Sequence, residues 1–186
     1  ESFRNYTLPG PGGPPKMVAV FWDDLMTTAG GDVITYYDQL NDYFVVEWSD
    51  VRTFYNNSLE SFQVILYNTD SQTVTGDDEI KIQFKEFNNN SVGDYPVGNY
   101  EGAVVHGQYC TVGIENHLSN DGLQYTYNNT YHPSSMPLSD ETALFITTGN
   151  PYLYAASDPV YSSDSFSFNL QPDDQFDFDL SISNEG

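Results

Sequence analysis

His106 and Cys110 stand four residues apart, a pairing of imidazole and thiol that serves nucleophilic catalysis when the ring can take the thiol proton. Along a strand that separation spreads the two Cα atoms by ~13 Å, beyond hydrogen-bond reach unless the chain bulges or bends at Gly107. No oxyanion-hole loop accompanies the pair. A buried structural thiol is therefore the expectation for Cys110. Oxygen-rich turns offer a second chemistry. Asp23 and Asp24 follow Trp22 at a strand end, and Asp32 comes after Gly30-Gly31. Loops of this kind hold Ca2+, which takes about six to eight oxygen ligands in flexible geometry. Asp23, Asp24 and Asp32 are thus the candidate metal ligands, although turn chemistry and solubility explain the same residues. Their spacing matches no EF-hand or nonapeptide calcium repeat. Asp77-Asp78-Glu79 is a weaker version of the same pattern. Asp173-Asp174 reads as a turn, and Asp177 with Asp179 as a solvated strand face.

Paired carboxylates hydrolyse glycosides at separations of about 5–9.5 Å, but nothing in the sequence brings Glu47 and Glu115 together. Both are expected to be structural, and no catalytic residue is assigned. His117 and His132 sit in Asn/Ser/Pro-rich loops, and three scattered histidines do not make a zinc site. Aromatic side chains can stack on sugar rings. Tyr36-Tyr37, Tyr125, Tyr127, Tyr131, Tyr152 and Tyr154 are the candidates for such a platform, while aromatics are also ordinary residues of half-buried strands. Four Asn-X-Ser/Thr sequons, at Asn5, Asn56, Asn89 and Asn128, read as coincidences of an Asn-rich chain.

These residues need a scaffold, and composition says which kind. The 186 residues suit one well-buried domain with something left over. Five basic against 27 acidic side chains leave a net charge of −22, and all five cations precede residue 86. So negative a surface repels nucleic-acid phosphates and anionic lipid headgroups, so neither nucleic acid nor membrane insertion is expected. Fifteen Tyr, 12 Phe and two Trp supply too much buriable area for a disordered acidic chain. A single cysteine rules out an intrachain disulfide framework. No apolar run approaches the ~20 residues needed to span a bilayer. No signal peptide opens the sequence, so the chain is expected to be a processed or internal piece of a longer exported precursor.

Residues 1–16, rich in Pro and Gly, cannot be helix and read as an extended lead-in. Strands are expected at 17–22, buried on both faces, and at 32–38, 43–48, 62–67 and 79–87. In the last, Ile80, Ile82 and Phe84 alternate with Lys81, Gln83 and Lys85, the period of a half-buried strand. Further strands are expected within 103–115, at 123–127 with Leu123, Tyr125 and Tyr127 on one face, and at 142–148. No stretch has capped 3.6-residue periodicity, so little helix is expected. Beyond Asn150-Pro151, alternation over 166–170 and 176–182 predicts a hairpin with one apolar side, marginal alone in water. The fold class is all-β: an antiparallel, jelly-roll-like β-sandwich over 17–149, with a linker and C-terminal hairpin over 150–186.

The phrases Phe21-Trp22-Asp23-Asp24-Leu25, Gly30-Gly31-Asp32-Val33, Val46-Glu47-Trp48, Phe62-Gln63-Val64-Ile65-Leu66-Tyr67, Val112-Gly113-Ile114-Glu115-Asn116 and Gly122-Leu123-Gln124-Tyr125 recur in an order that resembles the nidogen-like β-sandwich modules of bacterial secreted peptidases and surface proteins, often those using type IX-like secretion. The likeness covers about 17–148. It implies an accessory, non-catalytic role beside other domains, at the cell surface or outside the cell. Residues from 165 onward resemble the first hairpin of an immunoglobulin-like repeat, which commonly follows such modules. Both ends therefore look cut, and strands supplied by a neighbouring copy become an expectation. The functional expectation is an adhesion, assembly or scaffold module without catalysis, partnered by other domains of a precursor or by copies of itself. The alternative is a carbohydrate-binding module serving a secreted hydrolase, with glycans as ligands. Ca2+ is the one cofactor considered.

Overall fold

Alternation of apolar and polar residues gives each strand one face to bury, and the chain satisfies them by stacking two antiparallel sheets. The computed structural model describes residues 4–68, 77–92 and 109–147, with the backbone alone at 160–161 and 182–183. One sheet has four strands in the order β1 (Val18–Trp22), β7 (Thr111–Glu115), β8 (Gly122–Tyr127), β9 (Thr130–Tyr131). The other has six: β10 (Thr142–Ile146), β6 (Ile80–Phe87), β5 (Leu59–Tyr67), β4 (Tyr43–Thr53), and then both β2 (Leu25–Met26) and β3 (Asp32–Asp38) along the far edge of β4. The fold is an all-β sandwich, and no helix occurs among the described residues. A short pair, β11 (Val160–Tyr161) with β12 (Ile182–Ser183), forms a separate ladder. The expected strands of the C-terminal hairpin, Ile182 excepted, lie outside the described residues.

The core lies between the sheets. Ile82 and Phe84 of β6, Phe62 and Val64 of β5, and Val51 of β4 face Phe21, Cys110 and Val112. Each such side chain contributes about 1.5–3 kcal/mol of burial. An aromatic chain stitches the layers together. Trp48 stacks on Phe62 at 5.2 Å, Phe62 on Phe21 at 5.2 Å, Phe21 meets Phe87 edge-on at 5.6 Å, and Phe87 meets Phe84 at 4.9 Å. These offset and edge-to-face arrangements are the ones that ring quadrupoles favour.

β4 is longer than the expected strand because a bulge carries it past Ser49-Asp50. There the alternation breaks, Asp50 takes a positive φ of 54°, and Ser61 bonds to both the Asp50 amide and its carboxylate, each at 3.0 Å. The bend lets the first part of β4 pair with β3 and the last part with β2. Gly31 makes this possible. Its φ is +94°, and a Cβ there would stand 2.3 Å from the Asp50 carbonyl oxygen. β3 overhangs the sandwich: its residues are exposed on both sides, apart from the half-buried Asp38 at its end.

The lead-in is more than an extended arm. Asn5 donates to the Tyr109 carbonyl and to Thr111 Oγ1, Thr111 donates to the Tyr6 carbonyl, and the amides of Leu8 and Gly10 donate to Gln124 and Glu115. Tyr6 packs against Trp22, and Gly12 and Gly13 lie flat on Tyr6 and Trp22. The segment therefore forms a third layer over the outer side of the four-stranded sheet. This is why Ala19, Val20 and Phe21 are all buried, as the continuous apolar run predicts.

Candidate functional site

Residues directly opposite on paired strands share a face, so the register assigns the outer side of the six-stranded sheet without ambiguity. Glu47 opposes Gln63, Gln63 opposes Gln83, and Gln83 opposes Ala143. One step along, Tyr36 opposes Val45, Val45 opposes Ile65, Ile65 opposes Lys81, and Lys81 opposes Phe145. Tyr43 and Tyr67 complete the surface, paired across β4 and β5. Three rings run in continuous contact, Tyr43 to Tyr67 at 5.8 Å and Tyr67 to Phe145 at 6.4 Å, both edge-on. Tyr36, 60% exposed, flanks them on β3, and Phe145 is 42% exposed.

Beside this aromatic row lies a groove of about 340 Å3, lined by Glu47, Ser61, Gln63, Gln83, Lys85 and Thr142 among others. Gln63 Nε2 donates to Gln83 Oε1 at 2.8 Å and holds the floor flat. Tyr43 is tied to Asp38, and that bond raises its phenol pKa, as the carboxylate disfavours a second negative charge. Burial raises the phenol of Tyr67. Both hydroxyls stay protonated at neutral pH; Tyr43 gives its proton to Asp38, and Tyr67 can donate outward.

A second constellation sits inside the sandwich. Glu60 is wholly buried and accepts from Asn88 N at 2.9 Å, Asn89 N at 3.0 Å and Ser58 Oγ at 3.0 Å. Burial nevertheless lifts its pKa to about 7, and the charge of Asp23 adds to the rise. Asn89 Oδ1 in turn accepts from the Cys110 amide at 2.8 Å. Cys110 has no exposed surface, and burial drives its thiol pKa well above the ordinary value, the opposite of what a nucleophilic thiolate requires. This network pins 88–91 to β5 and to the start of β7.

The residues singled out from the sequence are dispersed. Asp23 accepts from the Asp24 amide at 2.7 Å, and the Asp24 carbonyl accepts from Phe54 N at 2.8 Å. Asp32 starts β3 opposite Ser49 on the exposed edge. Among the described residues, no group of three or more His, Cys, Asp or Glu side chains comes together to hold a metal ion. Glu47 faces outward on one sheet, whereas Glu115 is buried on the other under the lead-in, accepting from Gly10 N and Ser119 Oγ. Glu79 is buried and accepts from Thr147 at 3.3 Å. Asp77 and Asp78 are exposed, and so are His117 and His132. His106, Tyr152, Tyr154, Asp173, Asp174, Asp177 and Asp179 lie outside the described residues.

The expected tyrosine platform splits. Adjacent positions put Tyr36 and Tyr37 on opposite sides of β3. Tyr125 and Tyr131 pack against the core, edge-on at 6.0 Å, and Tyr127 is half-buried. Tyr43, Tyr67 and Phe145, which sequence reading did not single out, take their place. The signal was available: Tyr43 and Tyr67 end neighbouring expected strands, and period-two counting puts them on the face opposite Val46 and Val64. Of the sequon asparagines, Asn5 and Asn89 are buried, and Asn56 bonds to Asn90.

Comparison with protein-family models, curated proteins and solved structures yields no match.

Proposed function

We propose that this chain is a non-catalytic extracellular module with an adhesion or scaffold role beside other domains, of the nidogen-like kind its strand phrases resemble, and that it works through the outer face of its six-stranded sheet. One observation carries the reading. The four-stranded sheet is roofed by the lead-in, whereas the larger sheet presents Tyr36, Tyr43, Tyr67 and Phe145 on one open face, in two adjacent register rows beside a polar groove. The groups with reactive chemistry, Glu60 and Cys110, are enclosed and occupied in holding loops. Beads coated with the chain should adhere to the envelope of the producing cell, and a Tyr36→Ala/Phe145→Ala variant should lose most of that adhesion. Equal retention of both proteins, or of neither, removes the reading.

A second mode of assembly is supported by β3, an edge strand exposed on both sides whose outer edge has no strand partner among the described residues. Such edges accept an added strand through main-chain hydrogen bonds, so copies of the chain could join there. Sedimentation velocity across a hundredfold concentration range tests it: a constant monomer value ends it.

A further inference from the structure

Resting on that reading of the outer face, we propose that its ligand is a neutral polysaccharide, lying across the strands from Tyr36 through Tyr43 and Tyr67 to Phe145 with its hydroxyls turned into the Gln63–Gln83 groove. A sugar ring has an apolar C–H side and a rim of hydroxyls that both donate and accept. The face offers both counterparts across strands about 4.8 Å apart: half-exposed rings in two register rows, Tyr43 with Tyr67 and, two residues along, Tyr36 and Phe145, and the amides of Gln63 and Gln83 in the row beyond Tyr36 and Phe145.

Charge selects the class. The chain as a whole carries −22, which repels polyanions. A cationic partner would suit that total, yet it would meet Lys81 and Lys85, two of only five cations in the sequence, along this path. They stand among Asp32, Asp38, Glu47 and Glu141, so the face is mixed in sign with an acidic excess. A long, uncharged, hydroxyl-rich chain is the partner with no electrostatic cost here. Tyr67, kept protonated, adds a donor along its path, and Tyr43, whose proton goes to Asp38, can still accept there.

Affinity electrophoresis in gels containing soluble β-glucan, xylan or mannan, with polygalacturonate as the anionic control, tests the proposal, followed by calorimetry with matching oligosaccharides. Retardation by at least one neutral polymer and not by polygalacturonate is expected. Tyr36→Ala and Gln83→Ala should each weaken binding at least tenfold with unchanged far-ultraviolet spectra; Tyr36 lies on the overhanging strand, where truncation spares the core. No retardation in any neutral polymer, or retardation indifferent to both substitutions, overturns the proposal. Self-association, or binding of a synthetic peptide covering residues 162–186, abolished by the same substitutions would assign the face to protein instead and overturn it too. If beads still adhere through this face while every glycan fails, the contact surface stands and only its ligand is wrong.

Discussion

Replacing Glu60 with glutamine should flatten the pH dependence of stability, because the fold encloses a carboxyl whose charged form is costly there. Three hydrogen bonds favour the carboxylate, yet burial outweighs them and moves the pKa from 4.5 to about 7. Unfolded, the group ionises near its ordinary value; folded, it holds its proton until about pH 7. The stability it contributes is fully present below about pH 4.5 and is lost as the pH rises through about 7, after which it levels off. At about 1.4 kcal/mol per pKa unit the ceiling is ~3 kcal/mol, and relaxation around the ionised group brings the expected loss to about 2 kcal/mol. In Glu60→Gln the new amide cannot ionise, but its NH2 must face a backbone N–H, which forfeits about one hydrogen bond, ~1 kcal/mol. The variant should therefore be about 1 kcal/mol less stable than the parent at about pH 4, nearly level with it near pH 5, and about 1 kcal/mol more stable at about pH 8. Urea unfolding followed by the fluorescence of Trp22 and Trp48 at fixed ionic strength measures this. Parallel stability curves for the two proteins between pH 5 and 8 would refute the enclosed-carboxyl reasoning.

The two turn glycines separate backbone strain from collision. Gly30→Ala meets open space at φ +101° and should cost about 1–2 kcal/mol in melting or urea unfolding, the left-handed penalty alone, whereas Gly31→Ala drives a Cβ into Asp50 and should cost at least ~1 kcal/mol more; equal losses would deny the close approach. Cys110 should react with a maleimide more than a hundred times faster in urea than in the folded chain, as burial and a raised pKa demand, and mass spectrometry reads the difference directly. Phe84→Ala should lose about 3–5 kcal/mol or leave the chain unfolded by circular dichroism, since the ring sits between Phe62's sheet neighbours and Phe87. If Ca2+ uses the Asp23-Asp24 turn, a hundredfold excess over its dissociation constant adds ~2.7 kcal/mol; a melting temperature unmoved by EDTA takes calcium out of the account.

Strand positions were legible wherever period two was unbroken. β3 runs over the expected residues, and β6 differs from its expected span by one. Departures occur where local chemistry interrupts the alternation. Ser49-Asp50 looked like the end of β4, but a bulge supported by Ser61 continues it. β2 and β9, two residues each, are too short to carry a period and exist only because β4 and β8 offer partners. The lead-in's burial could not be read from its Pro/Gly composition, since its partners lie more than a hundred residues away in Thr111, Glu115 and Gln124. The same holds for the candidate site. Tyr43, Tyr67 and Phe145 come from three strands, and only the register brings them together. Glu60 shows the limit most sharply: in sequence it is one more acidic residue at a strand start, and its burial depends on Asn88 and Asn89 folding over it.

Because the lead-in and β1 are completed by β7 and β8, the smaller sheet is sewn from opposite ends of the sandwich. Strands β3 to β6 can zip as successive neighbours while synthesis proceeds, but β1 must wait, without its ladder partner, until β7 at Thr111–Glu115 has emerged. Long-range closures of this kind slow folding, so Val18–Trp22 stays without its strand partner from its own synthesis until Thr111–Glu115 follows, the interval in which a chaperone has the most to shield.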